Sequence, residues 1–428
     1  ETYGDGDYLA ITEANLGNIS HFTTTAWIKP AAGQAGFGGI ISNGKWCAHC
    51  DDDPIGLIID YWGNRLWYRW HGTVGSWGGN SGIDVPIDEW SYVAMVVTPD
   101  TITLYLNEEK YTAAGTFSTV DFSSLYIGYG HYSRSFKGKI DEVTYWKRAL
   151  TQQEIRELRH LTKTEATVNS DTDMLGYFQF NEVLDGTKVM NVVGGSHGIL
   201  TANATLVNSG APVGGGVSDL ITLNGEGGYN FPNSGATLAF NDCTDLEGEI
   251  VVSRIDQQPY LPVNNNANAG SYWVINQYDN SAAFAPLDSI ELMASDVNFT
   301  SNLSNARDAI LHLRPQHSDS MDWVSKSTAD FTNGNTLKFG QSNNIDGAYQ
   351  IFITDGGAPF TETPAIKPCE VDTIPGNALQ CVFSGDWGRT PDLKTTTNTL
   401  TITAWVRPNG IQPDYAGIAV SYTHLTLP

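Results

Sequence analysis

Short strand-like runs broken by turn clusters constrain this chain more than any other feature. In TITLYLN, Ile102, Leu104 and Leu106 alternate with Thr101, Thr103 and Tyr105. That is the period of a strand with one buried face. TTTAWIKP (23–30), GLIIDYW (56–62), RLWYRW (65–70) and WSYVAMVVT (90–98) are equally short and rich in β-branched and aromatic residues. Gly-, Pro- and Asn-rich clusters separate them, and the GN at 63–64 reads as a two-residue hairpin turn. Strands at this spacing, with no alternation of strand and helix, predict an antiparallel sandwich.

The length of 428 residues predicts several domains. Charged residues are only 16% while Gly numbers 44 and aromatics reach 11%, a mix for folded β modules with many turns rather than for disorder. The net charge of −24 repels phosphate backbones, which excludes nucleic acid as a partner class. It suits Ca²⁺, and it equally suits plain solubility. Nothing is long and apolar enough to span a membrane. No basic and apolar leader precedes Glu1, so the start reads as trimmed. VSYTHLTLP (420–428) reads as a translated sequencing adaptor, which makes the chain a fragment. Five cysteines are an odd number for an extracellular chain.

One stretch breaks the strand pattern. In GKIDEVTYWKRALTQQEIREL (138–158), a strand with adjacent Asp141 and Glu142 runs into the clearest helix signal in the chain. Thr151 and Glu154 have the spacing of a capping box, and Ile155, Leu158 and Leu161 fall on one helical face. So short a helix needs a sheet to pack on.

With GDGDYLAI, FTTTAWIKP, WSYVAMVVTPDTITLYLNEEKY and LYIGYG in the same order before it, this stretch resembles the laminin-G-like (concanavalin A-like) jelly-roll module. The resemblance covers 1–162 and implies that the helix closes the module across one end. MLGYFQFNEVLDG (174–186) resembles the leader strand of such modules, and 163–217 reads as that segment plus the linker NSGAPVGGG. Residues 218–357 read as a second β-sandwich of the kind found in secreted Bacteroidota-type proteins. ITAWVRP (402–408) repeats TTAWIKP (24–30), so 370–419 reads as the start of a second, truncated laminin-G-like module. The expected class is all-β: a jelly-roll sandwich, a second β-sandwich and a truncated second jelly roll.

Candidate sites follow. Asp5 and Asp7 in a Gly-punctuated turn and Asp141 on the last strand are the expected ligands of a structural Ca²⁺, an ion that the family often holds there. Asx turns and backbone bonds are the competing roles. Glu142 reads as a rim acid. Cys47 and Cys50 in CAHCDDD are too few for zinc and lack the fold context of a redox pair, so a loop disulfide is expected. Cys369 and Cys381 are a second candidate pair, and Cys243 has no evident partner. Trp70 with His71, and Trp77 in a Gly-rich loop, are the candidate sugar-stacking residues, with Asn64 and Asn80 as polar neighbours. Core or loop packing competes with that role, and Trp27, Trp67 and Trp90 are expected in the core. NAT (203–205) and NFT (298–300) fit glycosylation sequons short enough to arise by chance.

No catalytic motif appears, and Asp141 and Glu142 on a regular strand would point to opposite faces. The expected function is therefore non-catalytic recognition outside the cell or at its surface, with a glycan or matrix ligand. A structural spacer in a large adhesin and an accessory region of a glycan-degrading enzyme are the alternatives.

Overall fold

The computed structural model describes the chain between residues 6 and 355, apart from 15, 35, 44–55, 60–63, 71–77, 131–134, 182, 185, 241–245, 264–267, 280–286, 294–296, 298–308, 330, 333–335 and 341–348. The chain forms one compact unit over Glu1–Phe360 and another over Thr361–Pro428. The second unit lies outside the described residues, and with it the expected module at 370–419, Cys369, Cys381 and the tail 420–428.

The protein is all-β, and a first sandwich is built from seventeen strands: β1 (Leu9–Ile11), β2 (Asn18–Ile19), β3 (Phe22–Pro30), β4 (Gly38–Ser42), β5 (Gly56–Ile59), β6 (Arg65–Arg69), β7 (Gly79–Asp84), β8 (Ser91–Val97), β9 (Thr101–Leu106), β10 (Glu109–Ala114), β11 (Val120–Asp121), β12 (Leu125–Ile127), β13 (Gly138–Trp146), β14 (Met174–Phe178), β15 (Val183–Leu184), β16 (Lys188–Val189) and β17 (Gly198–Leu200). One sheet runs β15-β16-β17-β1-β12-β4-β5-β6-β7 and the other β10-β9-β8-β3-β13-β14, with β2 and β11 a small separate pair. The alternation in β9 works as expected: Ile102, Leu104 and Leu106 are buried and the residues between them are half-buried. They join Ile28, Val93, Met95, Leu57 and Ile59 between the sheets.

The segment after residue 162 is part of this sandwich rather than a leader beside it. Strand β14 adds an edge to the six-stranded sheet by pairing with β13, and β17 pairs with β1 in the nine-stranded sheet. The six-stranded sheet therefore needs residues up to Phe178, and the nine-stranded sheet residues up to Leu200. Sequence reading placed the boundary at the helix because a two- or three-residue strand such as β16 or β17 carries no periodic signal.

Helix α1 (Gln152–Leu158) has the full capping box, with the Thr151 hydroxyl accepting from the Glu154 backbone and the Glu154 carboxylate accepting from the Thr151 backbone. Ile155 is buried with Trp27, Trp90, Tyr92 and Trp146 on the outer face of the six-stranded sheet. A second short helix, α2 (Glu165–Ser170), follows.

The second sandwich contains β18 (Gly216–Asn224), β19 (Gly227–Phe231), β20 (Ala236–Phe240), β21 (Glu247–Ile255), β22 (Asn268–Tyr278), β23 (Ser289–Met293), β24 (Ala309–Pro315), β25 (Val324–Thr328), β26 (Phe331–Thr332), β27 (Thr336–Gly340) and β28 (Tyr349–Asp355). Its sheets run β18-β21-β22-β28-β24-β25 and β19-β20-β23-β27-β26 around Phe231, Leu238, Trp273, Leu311 and Ile353.

The stretch expected as a linker holds the two sandwiches together. Gly214 forms a parallel bridge with Leu161, its N–H donates to the His160 carbonyl at 3.1 Å, and Asp256 N–H donates to Gly215 at 2.8 Å. Charges complete the junction. Lys29 pairs with Asp319 at 2.8 Å, and the Trp90 indole N–H donates to the same carboxylate at 3.0 Å. Arg156 pairs with Glu249 and Asp279 and stacks on Tyr278, 4.3 Å from the ring centre.

Candidate functional site

Strand β6 sorts the candidate aromatics. Leu66, Tyr68 and the following Trp70 face the core, and Arg65, Trp67 and Arg69 face outward. Trp70 is a core residue: it is buried between Phe22 and Phe122, and its indole N–H donates to the Ser118 carbonyl at 2.9 Å. That corrects its candidacy as a stacking residue. The physical reason is parity, since Trp70 stands two positions beyond Tyr68 and so shares its face.

Trp67 takes the opposite role to the one expected. It is half-buried on the outer face, across from Asn80 of β7. Gly78, with φ of +82°, is required beside it, because a Cβ there would stand 2.0 Å from the Tyr68 carbonyl oxygen and 2.9 Å from the indole nitrogen. Phe37 meets the Trp67 ring edge-on at 6.2 Å and is itself held at φ +65°, a costly conformation for an aromatic residue. The Arg69 guanidinium lies 5.8 Å from the Phe37 ring centre. The Asn80 carbonyl accepts the Gly82 N–H at 2.9 Å, which fixes the amide and turns its NH₂ toward other partners. A partly exposed indole near an amide is the chemistry that takes the apolar side of a ring and hydrogen-bonds its substituents.

Asn64 does not stand beside Trp70. At φ +55° it holds the β5–β6 connection, and its carbonyl accepts from Val85. It precedes β6 while Trp70 follows it, so the two stand at opposite ends of a five-residue strand, roughly 20 Å apart at strand rise. His71, Trp77, Cys47 and Cys50 lie outside the described residues. The strand ends from which those segments leave are neighbours: Ser42 pairs with Gly56, Gly56 with Arg69, and Tyr68 with Gly79.

A second aromatic group went unnoticed in the sequence. Tyr8, Tyr126 and Tyr129 lie half-buried on the outer face of the same sheet, with ring centres 4.8–5.7 Å apart. Burial and the neighbouring phenols raise the Tyr8 pKa. Ser42 Oγ donates to the Tyr129 carbonyl at 2.8 Å, and Gly39 bridges Ser135. The available signal was the outward parity of Tyr126 in LYIGYG.

Asp141 and Glu142 share one face, against expectation. Asp141 pairs with Trp27 and Thr144 with Thr25, so two residues oppose one, and Glu142 absorbs the bulge at φ +48°. Both acids are buried on the outer face of the six-stranded sheet, so Glu142 is no rim acid. Tyr177 donates its hydroxyl to Glu142, and Asp141 accepts the Glu142 N–H at 2.9 Å. Burial pushes Asp141 up to about 6, and burial followed by the Asp141 charge raises Glu142 further above the carboxylate range. The pocket beside Glu142, lined also by Trp27, Tyr177 and Arg159, has room for about one water molecule.

The structure does not bring Asp7 and Asp141 together. Asp7 precedes β1 of the nine-stranded sheet and accepts the Asn203 N–H at 3.0 Å, whereas Asp141 stands on the far side of the six-stranded sheet. First and last strands are not neighbours here, so these two carboxylates do not fit a shared ion. Asp5 lies outside the described residues. Among the described residues no three carboxylate, imidazole or thiol groups gather as a metal site.

Solved structures similar to this chain include domain 4 of AbnA, a GH43 extracellular arabinanase from Geobacillus stearothermophilus in complex with arabinotriose. It is 22% identical, with 33% of this chain and 66% of that one covered and a TM-score of 0.27. A heptameric SAP-like pentraxin from Limulus polyphemus is 17% identical over 36% and 75% of the two chains, with a TM-score of 0.27. Domains LG4-5 of the mouse laminin α1 chain are 16% identical over 35% and 43%, with a TM-score of 0.26. No curated protein matches the chain. Residues 3–156, the body of the first sandwich, match the laminin G family model described as the Concanavalin A-like lectin/glucanases superfamily.

Proposed function

We propose that this chain is a non-catalytic extracellular recognition module with a carbohydrate or matrix glycan as ligand, taken up on the outer face of the β6–β7 hairpin. The observation that carries the reading is Trp67, a partly exposed side chain turned away from the core, with Asn80 across the strand pair and Phe37 held against it. The family match over 3–156 supports the coarser part, a lectin-like sandwich. The test is a glycan array probed with the full chain, with and without Ca²⁺, beside Trp67→Ala. Binding that falls about tenfold or more in the variant supports the reading, in line with the ~1 kcal/mol that an aromatic contact contributes beyond its buried area.

One observation favours the spacer reading instead. The two sandwiches are joined by ion pairs and a bridged connector rather than by a loose linker. A chain that binds no glycan under either condition, yet stays rigid, is a spacer. An accessory role beside a glycan-degrading domain is the third reading, and the sequence of the full gene decides it.

A further inference from the structure

We propose that the junction between the two sandwiches is a proton-operated latch, closed while His317 and His160 are neutral and released when they take up protons. Arg159, just past α1, is 1% exposed and sits at the centre of the junction. One of its terminal nitrogens lies 3.1 Å from Nε2 of His317, which belongs to the second sandwich. A guanidinium can only donate, so this bond requires a lone pair on Nε2 and hence a neutral imidazole. A proton on Nε2 would replace the bond with two cations in contact.

His160 adds a second such group. Its Nδ1 is 2.6 Å from the Pro212 carbonyl, which can only accept, so Nδ1 carries a proton, and in the neutral ring Nε2 then carries none. Protonating Nε2 would place a cation in a fully buried site beside Arg159. Burial first, and then the Arg159 charge, hold His160 down to about 3 and His317 well below its ordinary range.

Among the described residues no carboxylate pairs with either imidazole. The groups facing His317 are Arg159, His160, the Trp27 ring and the Trp90 backbone, and those facing His160 are Trp27, Arg159, His317, the Pro212 carbonyl and the Asn276 amide. Glu108 is committed to Arg159 at 2.6 Å and to the Gln316 amide at 2.8 Å. Glu142, on the pocket wall shared with Arg159, resists ionisation.

The sign follows from linkage. These are bases whose pKa is depressed in the closed state, so closure is favoured fully above about pH 6.5 and is lost as pH falls below it. Each pH unit below that value favours the open form about tenfold per histidine until the closed-state pKa is reached.

The test uses the full chain from about pH 7.5 down to 4, a range that spans this linkage window. It combines small-angle X-ray scattering, protease cutting in the connector 201–215 and circular dichroism. The expected result is a reversible expansion below about pH 6, with new cleavage and an unchanged strand signal. In His317→Gln, where the amide oxygen still accepts from Arg159, the pH dependence of opening falls from about a hundredfold to about tenfold per unit. A shape that stays closed until the strands melt, or an unchanged slope in the variant, overturns the proposal. If the variant does not fold, the imidazole ¹⁵N spectrum of the unmodified chain decides at about pH 5, inside the same window. Neutral rings in the closed form support the latch, and a doubly protonated ring in a closed molecule overturns it.

Discussion

Trp67 and Trp70 are three positions apart on one strand end and carry opposite roles. Trp70→Ala should cost about 3–5 kcal/mol, the range for truncating a buried large aromatic, read as a lower denaturation midpoint. Trp67→Ala should leave stability within about 1 kcal/mol of the parent while removing glycan binding. A Trp67 variant that loses as much stability as the Trp70 variant would show that both are core. The buried acids make a second prediction at this scale. A carboxyl raised to about 6 keeps its proton in the folded state only up to about that pH, so Asp141 imposes no penalty below the unfolded value and its full penalty above the folded one. Asp141→Asn keeps an oxygen to accept the Glu142 N–H. The variant should be more stable than the parent at about pH 7.5, by on the order of 1 kcal/mol or more, and the gap should close as pH falls toward about 4. Thermal denaturation of both proteins across that range is the measurement. Asp141 was legible as a singular residue, but its environment was not: the bulge that turns Glu142 onto the same face depends on the partner strand β3.

At the scale of elements, α1 is where sequence and structure agree most closely, because a capping box involves only four consecutive residues. Its consequence reaches further than a local reading can. Arg156 lies on α1, and Arg159 and His160 follow it, so the helix end presents the cations of the junction. Thr151→Ala should cost about 1 kcal/mol of stability. It should also loosen the junction, seen as faster amide hydrogen exchange at Leu161 and Gly214, which bridge across it. Unchanged exchange there would separate the cap from the junction. Gly39 is the matching strand case. A Cβ at that position would stand 1.8 Å from the Tyr129 carbonyl oxygen, which is backbone and cannot turn aside. Gly39→Ala should therefore destabilise the protein by about 2 kcal/mol or more and displace Tyr129 from Tyr8 and Tyr126, visible in the near-ultraviolet circular dichroism.

For the whole molecule, the two sandwiches act as one body. Trp27 and Trp90 lie on the outer face of the first sandwich and are fully buried, with Asp319 of the second sandwich accepting from the Trp90 indole. Truncation at residue 212 would uncover that face and leave Arg159 without Tyr278 and His317. The truncated protein should unfold at a lower temperature than the chain carrying both sandwiches, and should self-associate through the exposed indoles. An equally stable, monomeric fragment would show that the junction contributes little.

The strands, the capped helix and the sandwich class were determined by the sequence alone, since period, turn chemistry and capping are set by residues within a few positions of one another. The linker reading and the choice between Trp67 and Trp70 needed the tertiary structure. So did the burial of Glu142 and the imidazoles gathered around Arg159. Each depends on which distant strand lies opposite, and that partner is fixed by packing between segments more than a hundred residues apart, where no local pattern reaches.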